Sequence, residues 1–400
     1  MKKIPTSEAT REARRQFLKL SAMFTAAGAL PLLQTYNQAI AAEPDAPLRI
    51  GYLPITDATA LLVAHHNGLF QKQGLEVEKP RLFRSWAQIV EAFLAGQVNA
   101  VHLLSPMTVW ARYGSKSQAK VVAWNHMSGS GLTVLPEIDS VAELGGKTVA
   151  IPFWYSIHNV VLQHLFRGEG LESISDGTPN AKQVKLVVMA PSDMVPALAT
   201  RQIAGYIVAE PFNAQAEVLK VGKILRFTGD VWRDHACCVV LMHENDLNRR
   251  PEWTQKVVNG IVQAQAWIRT HRKETAQILS RDNAQRYTPH TYEALEHVLA
   301  PEEKMYAHYA SSGAIRHPQW KDERISFQPY PYPSYTETLV KMLQKTVVLG
   351  NSEFLKTLDP AFAARDLVDD RFVKKAIADL GGMKVFGQAE AYTRTETITA

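Results

Sequence analysis

Cysteine is nearly absent from this chain. Its two cysteines, Cys237 and Cys238, are neighbours in a sequence of 400 residues, and adjacent cysteines seldom bridge because the ring is strained. A disulfide framework is excluded, and so is a zinc site built on spaced cysteine pairs. The pair sits in the apolar run Ala236-Cys237-Cys238-Val239-Val240-Leu241-Met242, which reads as a buried strand. Core packing is its expected role, with redox chemistry the alternative. Strong charge is lacking too. The formal net charge is +5, but residues 1–41 carry six basic and two acidic side chains and so hold four of those five charges. A near-neutral remainder with no basic run gives no electrostatic case for nucleic acid or a membrane surface. Long apolar runs are also wanting. Past residue 42 none reaches the ~20 residues of a spanning helix, and no repeat of solenoid period occurs.

What is present begins with a targeting segment. Arg14-Arg15-Gln16-Phe17-Leu18-Lys19 is a twin-arginine box, residues 20–33 form an apolar core interrupted by Gly28, and Ala39-Ile40-Ala41 offers a small-x-small cleavage pattern. Ala13 stands where such leaders usually carry Ser or Thr. No cysteine follows to take a lipid anchor. The expectation is a twin-arginine signal peptide over residues 1–42 and a periplasmic location for the rest.

The remainder turns on Arg49-Ile50-Gly51-Tyr52-Leu53-Pro54-Ile55-Thr56-Asp57. Residues 48–53 read as a strand, Pro54 stops it, and polar Thr56 and Asp57 precede a helix over 58–67. Such a corner exposes backbone N–H groups at the carboxyl end of a strand, where α/β sheets bind ligands. A second strand is expected from residue 74. A helix capped by Ser85 should follow, then a strand over 99–104, a helix opened by Ser105-Pro106 and a strand over 120–124. A second series has a helix over 140–147, a strand over 148–152 and a helix over 156–168. Strands over 185–189 and 204–209 flank a helix capped by Ser192. The Cys237-Cys238 strand should return the chain to the first unit. Beyond Pro251 the pattern is helical over 252–272, 273–282, 289–299 and 334–348. The proline-spaced 328–333 is a stiff linker, and 396–400 reads as frayed. Repeated β-α alternation implies α/β layers with mostly parallel sheets.

These residues resemble a family. Gly51 to Asp57, then Ala64-His65-His66-Asn67-Gly68-Leu69-Phe70-Gln71-Lys72-Gln73-Gly74-Leu75, is similar to the opening of solute-binding proteins of ABC importers. The branch is the one for nitrate, bicarbonate, sulfonates and thiamine-precursor pyrimidines. Phe93-Leu94-Ala95-Gly96-Gln97-Val98-Asn99-Ala100, Ser105-Pro106, Ala209-Glu210-Pro211-Phe212-Asn213-Ala214 and Val231-Trp232-Arg233-Asp234-His235 continue the likeness. It covers residues 48–275 well and the tail loosely. The resemblance implies a type II periplasmic binding protein: two α/β lobes joined by two crossing strands, with ligand in the cleft. Lobe 1 would comprise residues 43–130 plus 240–400, with a helical C-terminal extension, and lobe 2 residues 131–239.

A small anion in that cleft needs converging donors. Thr56 and Asp57 lie at the first corner. Trp86 is either a ligand wall or a core tryptophan, and by resemblance it matches a ligand-contacting Trp of nitrate binders. Ser130 lies in the glycine-flanked first crossing and can donate; nitrate binders carry Gln there, a departure that tells against nitrate itself, and a flexible hinge is the alternative role. Pro152-Phe153-Trp154-Tyr155-Ser156-Ile157-His158-Asn159 is the richest loop. Trp154 offers a ring face there, Ser156 a cap or donor, and His158 a donor in the first helical turn, matching a ligand-contacting His of the family. Glu210 could orient a donor or form a hinge-side salt bridge. Arg233 matches an anion-neutralising Lys and would supply a bidentate fork. Asp234 matches a calcium-meeting carboxylate of the bicarbonate branch, but one carboxylate falls far short of calcium's six to eight oxygens. No metal, cofactor or catalytic residue is expected.

The implied function is an ABC-import binding protein, a monomer that closes on a small anionic or sulfonate-like solute and delivers it to a permease. A heterocycle-binding relative is the first alternative. A pyrimidine-precursor synthase on the same fold is the second, although that resemblance calls for a longer cysteine-rich segment than Cys237-Cys238. A periplasmic sensor input is the third.

Overall fold

The computed structural model describes residues 46–321 and 323–399; the leader expected over 1–42 lies outside the described residues. Two sheets carry the fold. The first contains β1 (Ile50–Tyr52), β2 (Arg81–Leu82), β3 (Ala100–Leu104) and β4 (Ala119–Trp124). The chain leaves it through β5 (Met127–Ser128). A second sheet is then built from β6 (Ser130–Val134), β7 (Thr148–Ile151), β8 (Glu172–Ile174), β9 (Gln183–Val188), β10 (Gly205–Ala209) and β11 (Lys223–Phe227). It re-enters the first sheet as β12 (Cys238–His243), and β13 (Ile325–Ser326) later pairs with β5. The orders are β2-β1-β3-β12-β4 and β11-β6-β10-β7-β9-β8.

Each sheet mixes strand senses in a way its connections explain. In the first, β1 runs parallel to β2 and β3, while the returning β12 is antiparallel to β3 and β4. In the second, β7, β8, β9 and β10 are joined by parallel pairs, and β6 is antiparallel to β10 and β11. Crossover connections, helical except for the loop from β8 to β9, make the parallel pairs, and direct entry and exit make the antiparallel ones. β3 and β10 are buried at every residue, as expected of central strands covered on both faces. Ser85 caps the helix Trp86–Leu94, and Ser156 caps the helix Ile157–Gly168.

The two crossings form a seam between the halves. Met127 bridges Ala236, and Ser128 N donates to the His235 carbonyl at 2.9 Å, so the two crossings run antiparallel. The β13 segment lies along the first crossing as a third member: Gly129 N donates to the Arg324 carbonyl at 3.0 Å. Gly129 has φ 79°, and a Cβ there would come within 3.1 Å of the His126 ring. Both facts require glycine. The opening corner also braces the seam, because Thr56 N and Thr56 Oγ1 both donate to the Glu210 carbonyl, at 2.9 and 3.1 Å.

Several local expectations need correcting. Residues 74–78 hold only an isolated bridge, Leu48 to Val77, and the pairing strand is β2 at Arg81–Leu82. Residues 140–147 condense to a single 3-10 turn, Ala142–Leu144. Ser192 is not a cap, since the helix Pro191–Ala199 begins one residue earlier at a proline, whose fixed φ suits the first turn. The tail also forms the helices Glu303–Ser312, Pro360–Asp366 and Arg371–Asp379. Residues 396–399 are not frayed. Trp232 bridges Ile398, Thr399 N donates to the Val231 carbonyl at 2.8 Å, and Trp232 Nε1 donates to Glu396 at 2.7 Å.

Candidate functional site

A buried polar cluster occupies the seam. Asp57 enters from the 3-10 turn Thr56–Ala58 that follows β1, His126 from the first crossing, and Cys237 and Cys238 from the second. All four side chains are fully buried, and their donor atoms lie within 4.8 Å of one another. Asp57 Oδ2 is 3.1 Å from His126 Nε2. The contact is off-axis, and neither Asp57 oxygen nor His126 Nδ1 gains an aligned hydrogen bond among the described residues. Burial pushes the Asp57 carboxyl up, but His126 more than offsets this and holds it below its ordinary value. Burial likewise opposes an imidazolium at His126, yet Asp57 lifts its pKa to about 10.

The second sheet contributes the neighbouring groups. Ser130 Oγ lies 2.9 Å from His158 Nε2, and both approach Cys237 Sγ at 3.8 Å. Burial disfavours a thiolate at Cys237, but the hydrogen bond from Cys238 and the adjoining histidines outweigh it, so its pKa falls well below the usual thiol value. Burial and the acidic partner push Cys238 the other way. His102 Nε2 accepts from Leu53 N at 2.8 Å, and burial together with His126 lowers its pKa to about 3. His102 is therefore neutral. The Trp86 ring lies 5.5 Å from His102, and its indole N–H has no partner among the described residues.

Of the residues singled out from sequence, Asp57, Trp86, Ser130 and His158 converge on this cluster. Thr56 braces the seam. Ser156 spends its hydroxyl locally, donating to the Phe153 carbonyl at 2.7 Å and accepting from Asn159 N at 3.1 Å. Trp154 is buried, and its carbonyl takes the Asn159 side chain at 2.8 Å. Glu210 forms a buried ion pair, with Oε1 2.6 Å from Arg324 Nε, and Arg324 continues to Glu217 at 3.1 Å. Arg233 is not brought to the cluster. Its half-exposed side chain pairs with Asp234 at 3.7 Å, and the guanidinium sits 5.7 Å from the Trp320 ring centre.

Sequence reasoning missed His126, His102 and Arg324. Arg324 is 114 residues from its partner Glu210, and no spacing rule spans that distance. His126 did carry a weak signal: the polar pair Asn125-His126 interrupts two apolar strands at the crossing.

Residues 41–281 match the model of the NMT1-like family. The chain belongs to that family. Among curated relatives, the nitrate/nitrite binding protein NrtA of Nostoc is 24% identical to this NMT1-like chain over 240 residues, 55% of the chain and 53% of the relative. The chain thus spans about half the length of such relatives. Among solved structures, the periplasmic nitrate-binding protein NrtA from Synechocystis aligns with a TM-score of 0.71 at 17% identity, covering 88% of this chain and 93% of that one. The alkanesulfonate-binding protein SsuA from Xanthomonas axonopodis, bound to MOPS, aligns with a TM-score of 0.54 at 16% identity, covering 69% and 96%. The fold is that of periplasmic binding proteins. No helix among the described residues is long and apolar enough to cross a membrane.

Proposed function

We propose that this NMT1-like chain is the solute-binding component of an ABC import system, acting in the periplasm after export through the twin-arginine route. Residues 43–130 with 240–400 form one lobe and 131–239 the other, and they close on a small solute without chemical turnover. The observation carrying this reading is the buried seam cluster, to which both sheets contribute polar groups that lack full hydrogen bonding. An unsatisfied buried polar group costs about 1–3 kcal/mol, so a site that keeps several is built for an occupant. Relatives named for nitrate and bicarbonate transport support the same class of function.

The cluster's chemistry narrows the solute. A bare oxyanion would meet the Asp57 carboxylate, and Arg233, the cation expected to neutralise it, lies outside. A solute with positive charge or donor groups fits better than nitrate or a simple sulfonate.

Solution scattering on the purified chain, with a panel of nitrate, bicarbonate, sulfonates, pyrimidines and metal salts, tests the function. A solute should contract the particle and raise Tm, and Ser130→Ala or His158→Ala should weaken its binding about tenfold or more. Measured turnover on the mature chain, or full affinity in both variants, overturns the reading.

A further inference from the structure

We infer that Asp57, His126, Cys237 and Cys238 bind a thiophilic d-block cation of the zinc class between the two halves, and that this ion is the solute on which they close. The second clause rests on the importer reading; the first stands on the donor set alone.

One carboxylate oxygen, one imidazole nitrogen and two sulfurs form a complete tetrahedral set. With metal–sulfur bonds of about 2.3 Å and metal–nitrogen or –oxygen bonds of about 2.0–2.1 Å, the edges of such a tetrahedron span roughly 3.3–3.8 Å. The four donor atoms already lie within 4.8 Å of one another, so side-chain adjustments of about an ångström complete the geometry. Sulfur donors exclude calcium and magnesium, which take oxygen ligands.

Two details point to a cation rather than to a packed core. Both Asp57 oxygens lack an aligned donor among the described residues, although the residue is fully buried and its one charged neighbour, His126, meets it off-axis. His126 Nε2 faces opposed demands: Cys238 N donates toward it at 3.4 Å, which asks for a lone pair, while Asp57 at 3.1 Å asks for a proton. A metal ion that takes the Nε2 lone pair and an Asp57 oxygen replaces the proton between them and displaces only the long Cys238 N contact. Ser130 and His158, each 3.8 Å from Cys237 Sγ, supply the outer contacts that orient a sulfur ligand. The ligands come from three chain segments that end or begin first-sheet strands, and Ser130 and His158 approach Cys237 from the second sheet, so an ion there sits where the two halves meet. This departs from the expectation, read from sequence, that no metal is bound.

The test uses the full mature chain, stripped with a chelator and titrated with cobalt(II). The expected result is one cobalt per chain, a thiolate-to-cobalt charge-transfer absorption, intense visible bands of a tetrahedral ion, and displacement by zinc. Cys237→Ser and Cys238→Ser should each remove much of the charge-transfer intensity, Asp57→Asn should change the visible bands, and Ser130→Ala should weaken cobalt about tenfold. Wild-type chain that leaves cobalt with the weak spectrum of its hydrated ion overturns the site, whatever the variants do. Scattering on the same samples separates the two clauses. Tetrahedral bands without contraction keep the site and reject the ion as solute. Contraction with an organic solute while cobalt stays hydrated rejects the site and leaves the importer reading standing.

Discussion

At the scale of single residues, the Glu210–Arg324 pair shows how a buried charge is tolerated. Arg324 is held by Glu210, by Glu217 and by the Tyr309 hydroxyl at 2.7 Å. Burial opposes its charge, and these partners more than offset that and keep its pKa above the ordinary value. Removing one member leaves the other buried and unpaired, the costly case. Arg324→Met should therefore destabilise the chain by about 3–5 kcal/mol in urea unfolding. The double variant Glu210→Gln with Arg324→Met should recover a large part of that loss. Equal stability of the single and double variants would show that the pair contributes by packing alone. Glu210 was legible in the sequence as a strand-end carboxylate with two possible roles, but its partner was not. Hydrophobic periodicity reports which face of an element is buried; it says nothing about which distant side chain arrives there.

At the scale of elements, two contacts fix the C-terminal extension. The first is Asp366, at the end of the helix Pro360–Asp366, which receives Arg112 Nε at 2.5 Å and Nη2 at 2.8 Å together with the Tyr113 hydroxyl at 2.9 Å. These donors, Arg112 foremost, hold the carboxyl well below its usual range. A depressed folded-state pKa gives stability that is present above the unfolded value of 3.8 and is lost as pH falls through the folded one. Asp366→Asn should cost about 1–3 kcal/mol near neutral pH. Its Tm should converge on that of the parent chain as pH drops below about 4, and a gap independent of pH would contradict the account.

The second contact is the terminal segment, paired along Val231 to Arg233. Deleting residues 396–400 removes the Glu396 carboxylate from Trp232 and Ser334 and two backbone bonds from the second crossing. Urea unfolding should show a loss of about 2–4 kcal/mol. Local polarity made this stretch look frayed, because strand pairing with a segment more than 160 residues away leaves no mark on the sequence nearby. Strands such as β3, β4 and β12 were legible as apolar runs. The helix Glu303–Ser312 was not, since only Tyr309 of its ten residues is buried and the apolar stripe that marks a helix is lacking.

At the scale of the whole molecule, the opening corner supplies one brace between the halves. Thr56 gives Glu210 both a backbone and a hydroxyl bond across the seam. Thr56→Val keeps the shape and removes the hydroxyl bond, worth about 1 kcal/mol. Cobalt or any contracting solute should then bind about fivefold more weakly in calorimetric titration, because the closed form is disfavoured relative to the open one. Unaltered affinity would place the brace outside the closing motion. The architecture of paired α/β series could be read from the sequence. The seam's chemistry could not, because residues 57, 126 and 237 meet only once β12 has returned to pair within the first sheet.

The burial of Cys237 and Cys238 has a practical consequence. Both are fully buried, and under the proposed closure an alkylating reagent would reach them only while the halves stand apart. On that reading their modification rate would serve as a clock, carried by the native chain, for how often the jaws part and for how firmly an occupant keeps them shut.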